Sequence, residues 1–192
     1  MNLPNKLTIL RILMIPLFIL VVSFPSQSTW NILSSQVNPM LFLAMVIFAL
    51  ASITDFLDGA IARKYHLVTN FGKFADPMAD KMLVMTAFIS LVSLDLAPAW
   101  VVSIIICREL AVTGLRILLV TDGEVLAAAW PGKVKTATQM FAIIFLLIDD
   151  LPFKAIGLPI GTILLYVCLF FTVYSGADYF IKNKHVFKDS FE

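Results

Sequence analysis

"DFLDGAIARKYHLVTNFGKFADPMAD", residues 55–80, sets four aspartates, Asp55, Asp58, Asp76 and Asp80, into a chain that is otherwise mostly apolar. On a helix, Asp55 and Asp58 stand three residues apart and Asp76 and Asp80 four apart, so each pair shares one face. The first pair closes one helix and the second opens the next. "KYHLVTNFGK" (64–73) reads as a short turn between them, and Pro77 falls in a first-turn position where a missing N–H costs nothing. Two neighbouring helix ends then let four carboxylates converge.

Working outward, 60% of the 192 residues are hydrophobic and only 14% are charged. A soluble domain of this length could not cover its apolar surface with so little charge, so lipid is the expected solvent. Apolar runs cover Ile12–Phe24, Met40–Ile53, Met82–Leu94, Val101–Val120 (interrupted at Arg108–Glu109), Met140–Ile148 and Leu158–Val173. Several fall short of the roughly 20 residues that span hydrocarbon, but each extends into flanks that carry the polar groups. Pro and Gly punctuate the intervals at Pro25, Pro39, Pro98, Pro131–Gly132, Pro152 and Gly157. The runs are too long and unalternating for barrel strands, and only helices otherwise satisfy their own backbone in lipid. The expectation is an all-α integral membrane protein with six transmembrane helices, forming a single domain over residues 1–192.

Lys and Arg collect on one side of that layout, the side of both termini, and the opposite side keeps only Lys154. The positive-inside rule makes the basic side cytoplasmic, in a multi-pass protein of the cytoplasmic membrane. The first run lacks a small-x-small cleavage site after Phe24 and reads as an uncleaved span. Cys107 and Cys168 lie inside separate apolar runs and read as buried, reduced side chains. "GLPIG" (157–161) has the spacing of a helix contact, and equally suits a loop with a helix start near Pro159.

Four like charges at a membrane need compensation, and helix capping accounts for one or two of them at most. Hard divalent cations supply it, because oxygen ligands are what Mg²⁺, Mn²⁺ or Ca²⁺ require, and two ions sharing bridging carboxylates make a clamp for displacement at phosphorus. Gly59 and Gly72 would let a ligand approach the backbone closely. Neither an EF-hand ladder nor a P-loop is present.

The order Asp55-x2-Asp58-Gly59-x2-Ala62-Arg63-x8-Gly72-x3-Asp76-x3-Asp80 resembles, without a departure, the signature of the CDP-alcohol phosphatidyltransferase family, as does the opening "NLPNKLTILR". The resemblance implies two divalent cations, Mg²⁺ or Mn²⁺, held by Asp55, Asp58, Asp76 and Asp80, with Asp80 also the general base. It implies a CDP-diacylglycerol pocket formed by Asn5, Thr8, Gly59, Ala62, Arg63, Thr69, Gly72 and Lys73. A homodimer is implied as well, and no nucleic-acid partner.

The signature leaves the acceptor alcohol open. Arg108 and Arg116 in "CRELAVTGLR" and Lys133 and Lys135 in "GKVKTATQ" gather on the same side, with Glu109 as a partner for Arg108. Arg108 and Arg116 lie eight residues apart, near one helical face and inside apolar sequence, which suits a phosphate dianion better than a flanking-charge role. Lys6 and Arg11 at the start of the first helix would close the same cavity. "REL..TGLR" followed by "GKVKT" is similar to family members whose acceptor is sn-glycerol 3-phosphate. Inositol phosphate is the alternative acceptor, and a divalent-metal transporter is the alternative from another class. Transport sites, however, lie near the midplane with access to both sides, whereas these acids sit toward one.

Overall fold

The computed structural model of the protein describes residues 2–24, 26, 28–32, 35–65, 70–121 and 130–183. Six long helices are present among them: α1 (Leu3–Ser23), α2 (Pro39–Lys64), α3 (Asn70–Ser93), α4 (Ala99–Thr121), α5 (Trp130–Leu147) and α6 (Ile160–Lys182). Each apolar run falls in one helix apart from one or two end residues, and polar residues lengthen most of these helices at one end. α2 starts where Asn38 accepts the Met40 N–H at 2.9 Å and Pro39 occupies the first turn. Hydroxyls inside the apolar helices are satisfied by carbonyls one turn back, as for Ser52 on Phe48 and Ser103 on Ala99.

Two expectations about the central segment are corrected. α3 begins at Asn70, so all of "NFGK" (70–73) is helix rather than turn, and Pro77 lies about two turns inside α3. Pro16 is likewise inside α1. Helices packed among others tolerate an interior Pro, because neighbouring groups take up the freed backbone carbonyl. The interval after α1 is also more ordered than a plain loop: β1 (Trp30–Ile32) pairs antiparallel with β2 (Ser35–Val37), Trp30 opposite Val37.

The hairpin is tied to the α5–α6 connection. The Ser35 hydroxyl donates to the Asp149 carbonyl at 3.1 Å, the Gln36 N–H to the Asp149 carboxylate at 2.9 Å, and Lys154 pairs with the same carboxylate at 2.5 Å. Asp150 caps α6 by accepting the Gly161 N–H at 2.6 Å. Burial pushes the Asp150 carboxyl above the usual range, with the Gly161 hydrogen bond opposing. Gly161 is required there: a Cβ would stand 2.8 Å from Asp150 Oδ1 and 3.0 Å from the Leu146 backbone nitrogen. "GLPIG" therefore serves both as a helix start and as a close contact with α5.

The core lies between the helices, with Phe18, Phe48, Phe88, Leu91, Ile105, Ile143 and Leu165 fully or almost fully buried. Outward-facing Leu13, Ile89, Ile117, Phe170 and Ile181 are at least 60% exposed, a surface that suits hydrocarbon and not water. Cys168 is buried as expected, but Cys107 faces outward from α4. An apolar run in lipid has two apolar faces, so its hydropathy does not say which one points inward. α1 from Asn5 and α6 are long and apolar enough to cross a bilayer; the apolar part of α2, Pro39–Asp55, is shorter.

Candidate active site

The chemistry-bearing residues occupy one end of the bundle: the first turns of α1, the end of α2, the first half of α3, the second half of α4, the start of α5 and the end of α6. There, an open cavity of about 660 Å³ has both Asp55 and Asp80 in its wall, together with Arg108, Glu109, Arg116, Lys133 and Lys135. Acids on α2 and α3 and cations on α4 and α5, far apart in the chain, thus share one space.

α1 holds the acids in place. Arg11 is fully buried, and its guanidinium lies 2.7 Å from Asp55. Thr8 is also fully buried and donates its hydroxyl to Asp76 at 2.5 Å. Arg11, expected among acceptor-phosphate ligands, does not line the cavity, and neither does Lys6, which is exposed. The physical reason is Asp55: a buried guanidinium takes the nearest carboxylate in preference to an open space. Thr8, expected in the CDP-diacylglycerol pocket, likewise supports Asp76. Asn5 is half-buried, Gly59 half-buried and Gly72 buried. Thr69 and the side chains of Asp58, Ala62, Arg63 and Lys73 lie outside the described residues.

Glu109 organises the cations. Its Oε1 accepts from Arg108 Nη1 at 2.8 Å and from Lys135 Nζ at 2.6 Å. Arg108 also donates to Ser175 Oγ at 2.7 Å, and its guanidinium stands 5.9 Å from the Tyr179 ring centroid. Its Nε is buried without a hydrogen bond among the described residues. Gly176 makes room for this side chain, since a Cβ there would come 3.0 Å from Arg108 Cγ. Lys81 donates to Thr113, whose hydroxyl donates in turn to the Glu109 carbonyl at 2.6 Å. Arg116 and Lys133 are exposed in the cavity and make no ion pair among the described residues.

Ser175, Gly176, Tyr179, Lys81 and Thr113 were not singled out from sequence. A Ser-Gly pair inside the aromatic α6 was the available signal for the first two. Nothing local marked Thr113.

Among the described residues no three acid, His or Cys side chains stand close enough to form a metal site as they are. The donor chemistry nonetheless fits a hard cation. Asp55 on α2 and Asp80 on α3 bring carboxylate oxygens from two helices to one cavity.

Acids and basic side chains thus share one cavity at one end of a helical bundle with an apolar outer surface. The chain belongs to the CDP-alcohol phosphatidyltransferase family, whose model matches residues 1–174. It is 49% identical over 190 residues to the CDP-diacylglycerol–glycerol-3-phosphate 3-phosphatidyltransferase of Bacillus subtilis, covering 98% of each chain. The enzyme of the same name from Rickettsia felis is 41% identical over 187 residues, 97% of each chain. That from Escherichia coli is 39% identical over 151 residues, 76% of each.

Proposed function

We propose that this protein transfers the phosphatidyl group of CDP-diacylglycerol to sn-glycerol 3-phosphate, giving phosphatidylglycerophosphate and CMP. The observation that carries the reading is the shared cavity, lined by Asp55 and Asp80 together with five cationic side chains, Lys81, Arg108, Arg116, Lys133 and Lys135. A donor with a pyrophosphate and an acceptor with a phosphate need acids that can hold cations, and basic side chains, in one space.

Two divalent cations, Mg²⁺ or Mn²⁺, held by Asp55, Asp58, Asp76 and Asp80, would neutralise the donor's pyrophosphate and the charge developing at phosphorus. Asp80 takes the proton of the acceptor's hydroxyl. The hydroxyl oxygen then attacks the phosphorus bearing diacylglycerol, the bond from that phosphorus to the bridging oxygen breaks, and CMP leaves. Arg116 and Lys133, free of internal ion pairs among the described residues, take the acceptor's phosphate. Arg108 and Lys135, anchored on Glu109, set the positive potential behind them. The remaining CDP-diacylglycerol contacts are assigned to Gly59, Ala62, Arg63, Thr69, Gly72 and Lys73.

The same reading takes six spans with both termini in the cytoplasm. They leave the donor's acyl chains in lipid and bring its head group to a cytoplasmic cavity. Assembly as a homodimer belongs to the same reading. The test is to offer the purified protein CDP-diacylglycerol with sn-glycerol 3-phosphate, inositol phosphate, serine or glycerol, and to identify the lipid formed and the CMP released. Phosphatidylglycerophosphate from the first acceptor is the expected product; a different lipid would reassign the acceptor.

A further inference from the structure

The cavity continues beside Asp80 into a narrow pocket of about 50 Å³. A water-sized probe fills roughly 10–15 Å³, so the pocket admits a hydroxyl-bearing carbon or a few waters, and no ring. Val84, Phe88, Ile105 and Ile106 form its apolar wall. Most of its polar groups are already engaged: Glu109 holds Arg108 and Lys135, Lys81 donates to Thr113, and the Thr136 hydroxyl donates to the Gly132 carbonyl at 3.0 Å. Gln139 is different. It lines the pocket at 4% exposure, one helical turn beyond Lys135 on the same face of α5, and makes no hydrogen bond among the described residues. Its amide opens onto the pocket, where a polar guest can pair with it.

We propose that Gln139 is a specificity-determining residue that hydrogen-bonds the acceptor hydroxyl adjacent to the one that reacts. The inference rests on the acceptor reading above. Asp80 borders both the cavity and the pocket, whereas Arg116 and Lys133 line only the cavity. An acceptor whose phosphate lies on those cations and whose terminal hydroxyl meets Asp80 carries its middle carbon past the pocket mouth. The hydroxyl on that carbon then enters and pairs with the amide. A site that pairs a substrate hydroxyl rejects the analogue lacking it, because its own polar group is left unpaired.

The test compares sn-glycerol 3-phosphate with 3-hydroxypropyl phosphate, which lacks only the middle hydroxyl. Both are assayed with the full-length enzyme and with Gln139→Met and Gln139→Asn, the second retaining an amide with shorter reach. The parent is expected to prefer glycerol 3-phosphate in kcat/KM by about tenfold or more. Both variants should lose about tenfold with glycerol 3-phosphate, keep their rate with the deoxy analogue within about twofold, and leave KM for CDP-diacylglycerol unchanged. An unchanged preference, or equal losses on both acceptors, overturns the assignment and leaves Gln139 as packing or a water anchor. If Gln139→Met fails to fold, Gln139→Asn alone decides. A parent that makes no lipid from glycerol 3-phosphate would instead refute the acceptor reading, and this assignment with it.

Discussion

Arg116→Ala isolates the acceptor's phosphate from everything else in the cavity. Arg116 is exposed, lines the cavity and makes no ion pair among the described residues, so its removal breaks no internal pair. Lys135→Ala, by contrast, would strip a buried partner from Glu109 and confuse binding with folding. A charge-assisted contact to phosphate is worth about 1.5–3 kcal/mol. Exposure of Arg116 to water puts it at the lower end. At about 1.4 kcal/mol per decade, KM for glycerol 3-phosphate should rise about tenfold, with kcat changed less. The assay follows CMP release in mixed micelles of CDP-diacylglycerol while the acceptor is varied, with plain glycerol as the phosphate-free comparison. Glycerol should be a poor acceptor for the parent and should lose little further in the variant. KM for CDP-diacylglycerol should stay level. Adding salt should narrow the gap between parent and variant, since an exposed pair is screened. Unchanged KM for glycerol 3-phosphate, or an equal loss with glycerol, would remove Arg116 from the phosphate site.

Other outcomes follow from the same geometry. Asp80→Asn should bind CDP-diacylglycerol but turn over about 10²-fold more slowly or worse, measured by donor binding alongside CMP release; normal turnover would exclude Asp80 as the base. Excess EDTA should abolish activity and Mg²⁺ or Mn²⁺ should restore it, and full activity under chelation would contradict a metal-dependent site. Gly176→Val should push the Arg108 side chain off Ser175 and Tyr179, raising KM for glycerol 3-phosphate severalfold while donor KM holds; equal effects on both substrates would mean a general packing defect. Gly161→Ala should lower thermal stability in detergent by about 1–3 kcal/mol without changing either KM, because its Cβ collides with Asp150 and Leu146 at the end of the bundle away from the cavity.

The helices were legible because hydropathy is a local property. Each apolar run, bounded by Pro or Gly, marked a segment that could satisfy its backbone only as a helix. The acids were legible too, since Asp residues at helical spacing in apolar sequence stand out against their surroundings. What was not legible depended on neighbours distant in sequence. The pairing of β1 with β2 involves only three residues on each side, and it is anchored through Asp149, more than a hundred residues away. Gly72 and Pro77 look like helix breakers, yet α3 runs through both. Arg11 and Lys6 are equivalent as flanking cations, and only the packing of α1 against α2 buries the first on Asp55 and leaves the second exposed. Ser175, Tyr179 and Gln139 acquire their roles from α3, α4 and α5 in the same way. Composition and spacing determine which segments leave water and which charges must be compensated. Which partner compensates each charge is a matter of distance, and distance between remote residues exists only once the helices have packed.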